Sequence, residues 1–546
     1  MKEQFRLLVR LLIFGGCVFL VLGGCKAPDN PTAAPVTATP EATKILPDLP
    51  TVEINTPTHE QPTPEGTPSL TLSVTSLAKE ALTQVDALKE KHRDDLGALK
   101  DIPRYDIQLD LDYNAQAYQG QLTLTYTNTE GIPQESLYFR LFPNGSRSYG
   151  DGSLEVANVS QDGEAVETSL TLEESALEVK LANTLENGES TSITMDFSGE
   201  IPRDFEGGGY GIYNFSHDVL ALSGWFPLLA VYDEEGWNLD PTSDVGDSVY
   251  SDMALFDVSM NLPKDIMVAA TGIEAARSAQ NGSQNIRYVS GPMRDFFLIM
   301  SPNFQVSSEE VGGTTVNSYF YSEDQAGGEQ ALSDAVKAVQ AYTTRFGEYP
   351  YTELDVVEAP MQYAAGVEFP GIVLVTDDAY SGENPESFTV ITAHEVAHQW
   401  WYNLVGNDVI DDPWLDEALT TYSSLLFWEV NEGPYVFQQV LQFYQDRYDE
   451  LVAAGKDDVV TKDLAYFEGL EDPGIYGDVV YIKGALFFQA VREKIGDKAF
   501  FGALKDYFES KRYQIANPED LLAAFEASSG QELDDLYQEW LYSAKE

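Results

Sequence analysis

The chain has 546 residues, enough for several cores, and 43% hydrophobic with 12% aromatic residues excludes a wholly disordered polymer. Lys and Arg total 32 against 89 Asp and Glu, a formal charge of −57 that repels phosphate backbones and argues against nucleic acid as a partner. Cys17 and Cys25 are the two cysteines, so the body of the chain holds neither a disulfide framework nor a thiolate metal site. The acidity reads first as solubility; selection of cationic substrates is a second reading that stays open.

In chain order, Lys2, Arg6 and Arg10 precede an apolar run over residues 11–22. Twelve residues fall short of the roughly 20 that span a bilayer but suit the apolar core of a signal peptide. The run ends Leu22-Gly23-Gly24-Cys25, which resembles a bacterial lipobox. Residues 1–24 are therefore expected to be a lipoprotein signal peptide, and Cys25 the lipidation site. That address implies an extracytoplasmic protein held to a membrane through an N-terminal lipid anchor. Ten of the 27 prolines fall between Pro28 and Pro68. Residues 25–69 thus predict a disordered Pro/Thr-rich tether.

Leu77, Leu82, Val85 and Leu88 predict a helical lead-in over 70–100. Over 101–305 the pattern turns to β. Tyr105, Ile107, Leu109 and Leu111 alternate with polar residues, and turn dipeptides recur at Asn144-Gly145, Asp162-Gly163, Asn187-Gly188 and Asn281-Gly282. This predicts an antiparallel sandwich or saddle. Within 306–546 the period lengthens. Leu332, Val336, Val339, Thr343 and Phe346 follow helical spacing, residues 371–375 read as a strand, and nearly everything after Phe388 reads as helix. The fold class expected is α+β.

One segment carries chemistry. His394-Glu395-Val396-Ala397-His398 is H-E-x-x-H, and on a helix it places two imidazoles on one face toward one metal ion. Glu395, about 100° round the helix, can reach a water at the metal without being a ligand. A catalytic zinc needs three protein ligands and an open position. Glu417 supplies the third, 18 intervening residues beyond His398, in the second turn of a helix expected to start at Asp412-Pro413. One Zn²⁺ per chain is expected.

H-E-x-x-H followed after 18 residues by Glu, here in Trp414-Leu415-Asp416-Glu417-Ala418-Leu419, resembles the aminopeptidase N-like gluzincins of peptidase family M1. Leu137-Tyr138-Phe139-Arg140 and Trp225-Phe226-Pro227-Leu228 look similar to the family's N-terminal domain. The resemblance covers about residues 101–546. It implies a saddle-like β domain followed by a thermolysin-like, mainly helical catalytic domain. It also implies hydrolysis of N-terminal residues from peptides with free N-termini, with Glu395 as general base. Tyr481, in Val480-Tyr481-Ile482, matches the family's catalytic tyrosine, which would stabilise the oxyanion. Glu368, in Gly366-Val367-Glu368-Phe369, aligns with the family's amine-gripping Glu, with Val and Phe replacing Met and Asn.

A second amine anchor found in many relatives has no counterpart in the run 222–227, so a zinc endopeptidase or another hydrolase on the same scaffold stays open. So does a non-catalytic peptide-binding surface lipoprotein. Only 129 residues follow Glu417, which suggests a short form lacking the large helical C-terminal domain. Of the other histidines, His59 and His92 read as solvated and His217 as a loop residue. The Trp400-Trp401-Tyr402 run reads as core.

Overall fold

A computed structural model of the chain describes residues 82–545, apart from positions 146, 247 and 248. The expected signal peptide, Cys25, the tether and the start of the 70–100 segment lie outside the described residues. Among the described residues no helix is long and apolar enough to cross a membrane.

The alternation at Tyr105 becomes the strand Arg104–Asp112, with Tyr105, Ile107, Leu109 and Leu111 buried and Asp106, Gln108, Asp110 and Asp112 exposed. It pairs parallel with Leu255–Pro263 and antiparallel with Ala117–Thr127, inside an eight-stranded sheet. Asn281 (φ +53°) and Gly282 (φ +89°) join Ile273–Gln280 to Ser283–Val289, the left-handed pair that a two-residue hairpin turn of this hand requires. Two four-stranded sheets and a two-stranded ribbon, Tyr232–Asp233 with Gly236–Trp237, complete the β-rich half. Trp225 is fully buried there, its Nε1 donating to Phe296 O at 2.9 Å.

The expected 70–100 helix is corrected over 82–100. That stretch forms two 3-10 turns, Gln84–Ala87 and Glu90–His92, and a single helical turn, Asp95–Ala98. Leu88 bridges to Tyr351, Lys89 N–H donates to Pro350 O at 2.9 Å, and Thr352 N–H donates to Ala87 O at 3.0 Å. Backbone groups engaged with another segment cannot close helical bonds. His92, read as solvated, is buried, with Nδ1 3.2 Å from Asp95 Oδ2.

The second half opens on a five-stranded sheet in the order Phe304–Val311, Thr314–Tyr321, Glu353–Ala359, Ile372–Thr376, Gly366–Val367. The second, third and fourth strands are parallel, and the helix Gln325–Arg345 is the crossover that parallel pairing demands. Gly366–Val367 lies antiparallel on the edge. Helices dominate from Pro385 onward, including Pro385–Ala397, Trp414–Asn431 and Gly484–Ile495. Trp400, Trp401 and Tyr402 are buried, as read from the sequence.

Arg294 joins the halves. Its Nε donates to Tyr402 O (2.7 Å) and Asn403 O (3.0 Å), Nη1 to Ser251 O (2.9 Å) and Nη2 to Gln514 O (2.6 Å). The β half also grips the loop after Glu368. The rings of Phe297 and Phe369 stack with centroids 3.8 Å apart, and Thr271 Oγ1 donates to Pro370 O at 2.8 Å.

Candidate metal centre

Pro385 sits at the start of the helix Pro385–Ala397, where its missing N–H and fixed φ favour initiation. The helix carries His394 and Glu395, and His398 caps its C-terminal end. Tyr342 Oη donates to Ala393 O at 2.8 Å, tying the crossover helix to this turn. The partner helix, Trp414–Asn431, begins one or two residues later than the sequence suggests, which moves Glu417 into its first turn.

These two helices bring three ligand atoms together. His394 Nε2 and His398 Nε2 are 3.2 Å apart, and Glu417 Oε2 lies 3.3 Å from the first and 3.4 Å from the second. Metal bonds of about 2.0–2.1 Å in tetrahedral geometry need ligand–ligand edges of about 3.3–3.4 Å. All three side chains are buried, and Glu417 Oε2 meets no hydrogen-bond partner. The donor set therefore fits a zinc ion, with a fourth position left on the open side of the triangle.

The surroundings fix the tautomer. His398 Nδ1 lies 3.1 Å from Trp401 O and 3.3 Å from Thr420 Oγ1. A carbonyl can only accept, so Nδ1 carries a proton and Nε2 is the nitrogen that gives up its own when a metal binds. Burial alone would raise the Glu417 carboxyl, but the imidazoles of His394 and His398 outweigh it and bring its pKa to about 2. At His398 burial opposes the charged ring, yet Glu368 and Glu417 hold its pKa well above the usual value. A pocket in which carboxylates stabilise positive charge this strongly is suited to a divalent cation. Asp416 is pushed up to about 7, first by burial and then by Glu417, while Asn407 Nδ2 donates to its Oδ1 at 3.1 Å.

Glu395 and Glu368 also reach this point. Oxygens of Glu368 and Glu395 and a nitrogen of His398 all lie within 4.8 Å of one another. Gln399, next along from His398, holds the Glu368 segment. Its Nε2 donates to Phe369 O at 3.1 Å, and its Oε1 accepts from Gly371 N–H at 2.8 Å.

Gly366 lies over the Glu395 carboxylate, where an added Cβ would stand 2.3 Å from Oε1. Sequence reasoning missed the roles of Gly366, Gln399 and Thr420. Gly366 alone had a signal, as the glycine two residues before Glu368.

Tyr481 lies on a π-helical segment, Gly477–Lys483, a backbone form frequent at functional sites. Its hydroxyl donates to Glu417 Oε1, and its ring stacks 5.8 Å from that of His394. Burial, followed by Glu417, raises the phenol well above its usual pKa, so it keeps its proton and acts as a donor. His394, Glu395, His398, Glu417, Glu368 and Tyr481 thus converge, whereas His217 lies apart and largely exposed.

A HExxH helix completed by a glutamate from the next helix, on this α+β scaffold, defines a gluzincin-type centre. Residues 330–540 match the family model described as Peptidase family M1 domain. The chain is 25% identical over 457 residues to Aminopeptidase M1-A of Oryza sativa subsp. japonica, covering 80% of this chain and 49% of that protein. It is 24% identical over 466 residues to Probable aminopeptidase 1 of Saccharolobus solfataricus, covering 81% and 53%. The chain thus spans about half the length of the curated relatives it matches. An M1 zinc metallopeptidase from Deinococcus radiodurans shares the fold, with a TM-score of 0.59 and 20% identity over 81% of this chain and 93% of that one.

Proposed function

We propose that the chain is a zinc aminopeptidase removing N-terminal residues from peptides. The observation that carries this reading is the buried triangle of His394, His398 and Glu417, sized for tetrahedral zinc and flanked by two further carboxylates. Zinc held there would supply a Lewis acid for carbonyl polarisation and water activation. Glu395 takes a proton from the attacking water and passes it to the leaving amine. Tyr481, whose single proton now goes to Glu417, turns it to the carbonyl oxygen as charge develops there. Glu368 accepts hydrogen bonds from the substrate ammonium and sets the distance from the N-terminus to the scissile bond. The related proteins named as aminopeptidases, and the Deinococcus radiodurans enzyme solved with a Tyr-Ser-Ala substrate, support a peptide in this cleft.

The test is chelator-sensitive release from aminoacyl-coumarins, each free or N-acetylated. Cleavage of free substrates alone is expected. Equal cleavage of acetylated ones would replace the exopeptidase reading with an endopeptidase. Glu395→Gln should abolish turnover with zinc still bound. We propose in addition that Cys25 is acylated and tethers the enzyme outside the cytoplasm. Incorporation of labelled palmitate that survives Cys25→Ser would refute that.

A further inference from the structure

A cavity of about 950 Å³ lies against the helix that carries His394 and Glu395. Its lining includes Ala364 and Ala365, which lead into Gly366, and Ile391, one helical turn before Glu395. It also includes five carboxylates (Asp324, Glu358, Asp377, Asp378 and Glu383) and neither Lys nor Arg. The basic group bonded to them is the exposed His217, whose Nδ1 stands 3.4 Å from Asp377 Oδ2.

Glu358 distinguishes this cavity from an ordinary acidic surface. Its side chain is fully buried on the strand Glu353–Ala359. Tyr321 N–H fixes Oε2 at 2.9 Å, while Oε1 meets no hydrogen-bond partner. The buried hydroxyl of Tyr321, also in the lining, likewise has none. A buried acceptor left without a donor costs about 1–3 kcal/mol, so a donor arriving with substrate would be favoured. Burial, with Asp324 and Asp377 adding to it, pushes the Glu358 carboxyl up to about 9.

The occupant is an organic cation rather than a metal ion. Among the described residues, the groups of three acidic or histidine ligand atoms within 4.8 Å lie at the metal centre, not here. Dispersed carboxylates around a roomy cavity suit an ammonium or guanidinium on a flexible stem.

Its place in the substrate follows from the two elements that flank it. Along the edge strand, Glu368 lies beyond Gly366 while Ala364 and Ala365 lie before it. Along the helix, Ile391 precedes the catalytic turn and His398 closes it. Chain order thus sets the amine anchor on one side of Gly366 and the cavity's Ala364 and Ala365 on the other. We infer that this cavity receives a lysine or arginine side chain of the substrate on the leaving-group side of the scissile bond, making the enzyme selective for peptides with a basic residue after the cleavage point. The inference rests on the peptidase reading above.

The test compares Ala-Lys-Ala-Ala with Ala-norleucine-Ala-Ala, which keeps the carbon stem and removes the charge. Ala-Ala-Lys-Ala and its norleucine counterpart probe the next position. With the metal-loaded full chain, kcat/KM at low salt should favour lysine at least about tenfold in one of these pairs, the size of one modest charge-assisted contact. Asp377→Asn and Glu358→Gln should each bring that ratio toward one, and Asp324→Asn serves where either variant fails to fold. Norleucine peptides cleaved as well as lysine peptides would overturn the inference while leaving the peptidase intact. A lysine preference confined to the N-terminal residue would overturn the leaving-group assignment. If no peptide is cleaved, calorimetry of the same pairs on the metal-loaded Glu395→Gln protein decides. Tighter lysine binding upholds the pocket as the peptidase reading falls, and equal binding overturns the pocket.

Discussion

Gly366→Ala isolates the placement of Glu395, the proposed general base, from metal binding and folding. The new Cβ would stand 2.3 Å from Glu395 Oε1, 2.5 Å from Cδ and 2.6 Å from Cγ. Its three nearest neighbours all belong to one side chain, so the backbone need not move. Glu395 must instead shift its carboxylate by about 1.1 Å to restore the 3.4 Å of ordinary contact. Misplacing a catalytic group by about 1 Å costs on the order of 100-fold in rate, or about 2.7 kcal/mol of barrier. His394, His398 and Glu417 are untouched, so zinc stoichiometry should stay at one per chain. The melting temperature should stay within a few degrees, because only a flexible side chain yields. Zinc content, thermal melts and kcat/KM on a free aminoacyl-coumarin would be measured on one preparation. Turnover within threefold of wild type, with zinc and stability retained, would refute the argument that Gly366 exists to seat Glu395.

Tyr481→Phe should lower kcat by about 10²–10³ with KM little changed, as expected for a donor used mainly in the transition state; steady-state kinetics on free substrates checks this. Arg294→Met strips the donor from four carbonyls where the halves meet, leaving buried acceptors without a partner. A loss of about 3–5 kcal/mol in urea unfolding is expected. Glu358 bears on pH dependence. Its folded pKa of about 9 exceeds the ordinary 4.5, so between these values the folded state holds a proton that the unfolded state has released. Its contribution is fully present below pH 4.5 and declines by about 1.4 kcal/mol per pH unit as pH rises toward 9. Glu358→Gln should flatten that slope and melt higher than wild type at pH 8; parallel melting curves from pH 5 to 9 would contradict it.

Sequence alone determined what short-range periodicity encodes. Period-two alternation marked Arg104–Asp112 as a strand with its buried face correct, and Asn281-Gly282 marked a hairpin. The H-E-x-x-H spacing placed two imidazoles on one helical face, because positions four apart share a face whatever the surroundings. Glu417 and Tyr481 were legible only through resemblance, since 18 and 82 intervening residues beyond His398 carry no local geometry.

Tertiary structure decided the rest. Segment 82–100 has helical spacing, but its backbone found better partners around Tyr351 than within itself. The seat of Glu395 under Gly366, the grip of Gln399 on the Glu368 loop, and the buried carboxyl of Glu358 beside Asp324 and Asp377 each join segments far apart in the chain. Such contacts are set when sheets and helices pack, and neither a period of two nor one of 3.6 residues contains the distance between segments that only packing fixes.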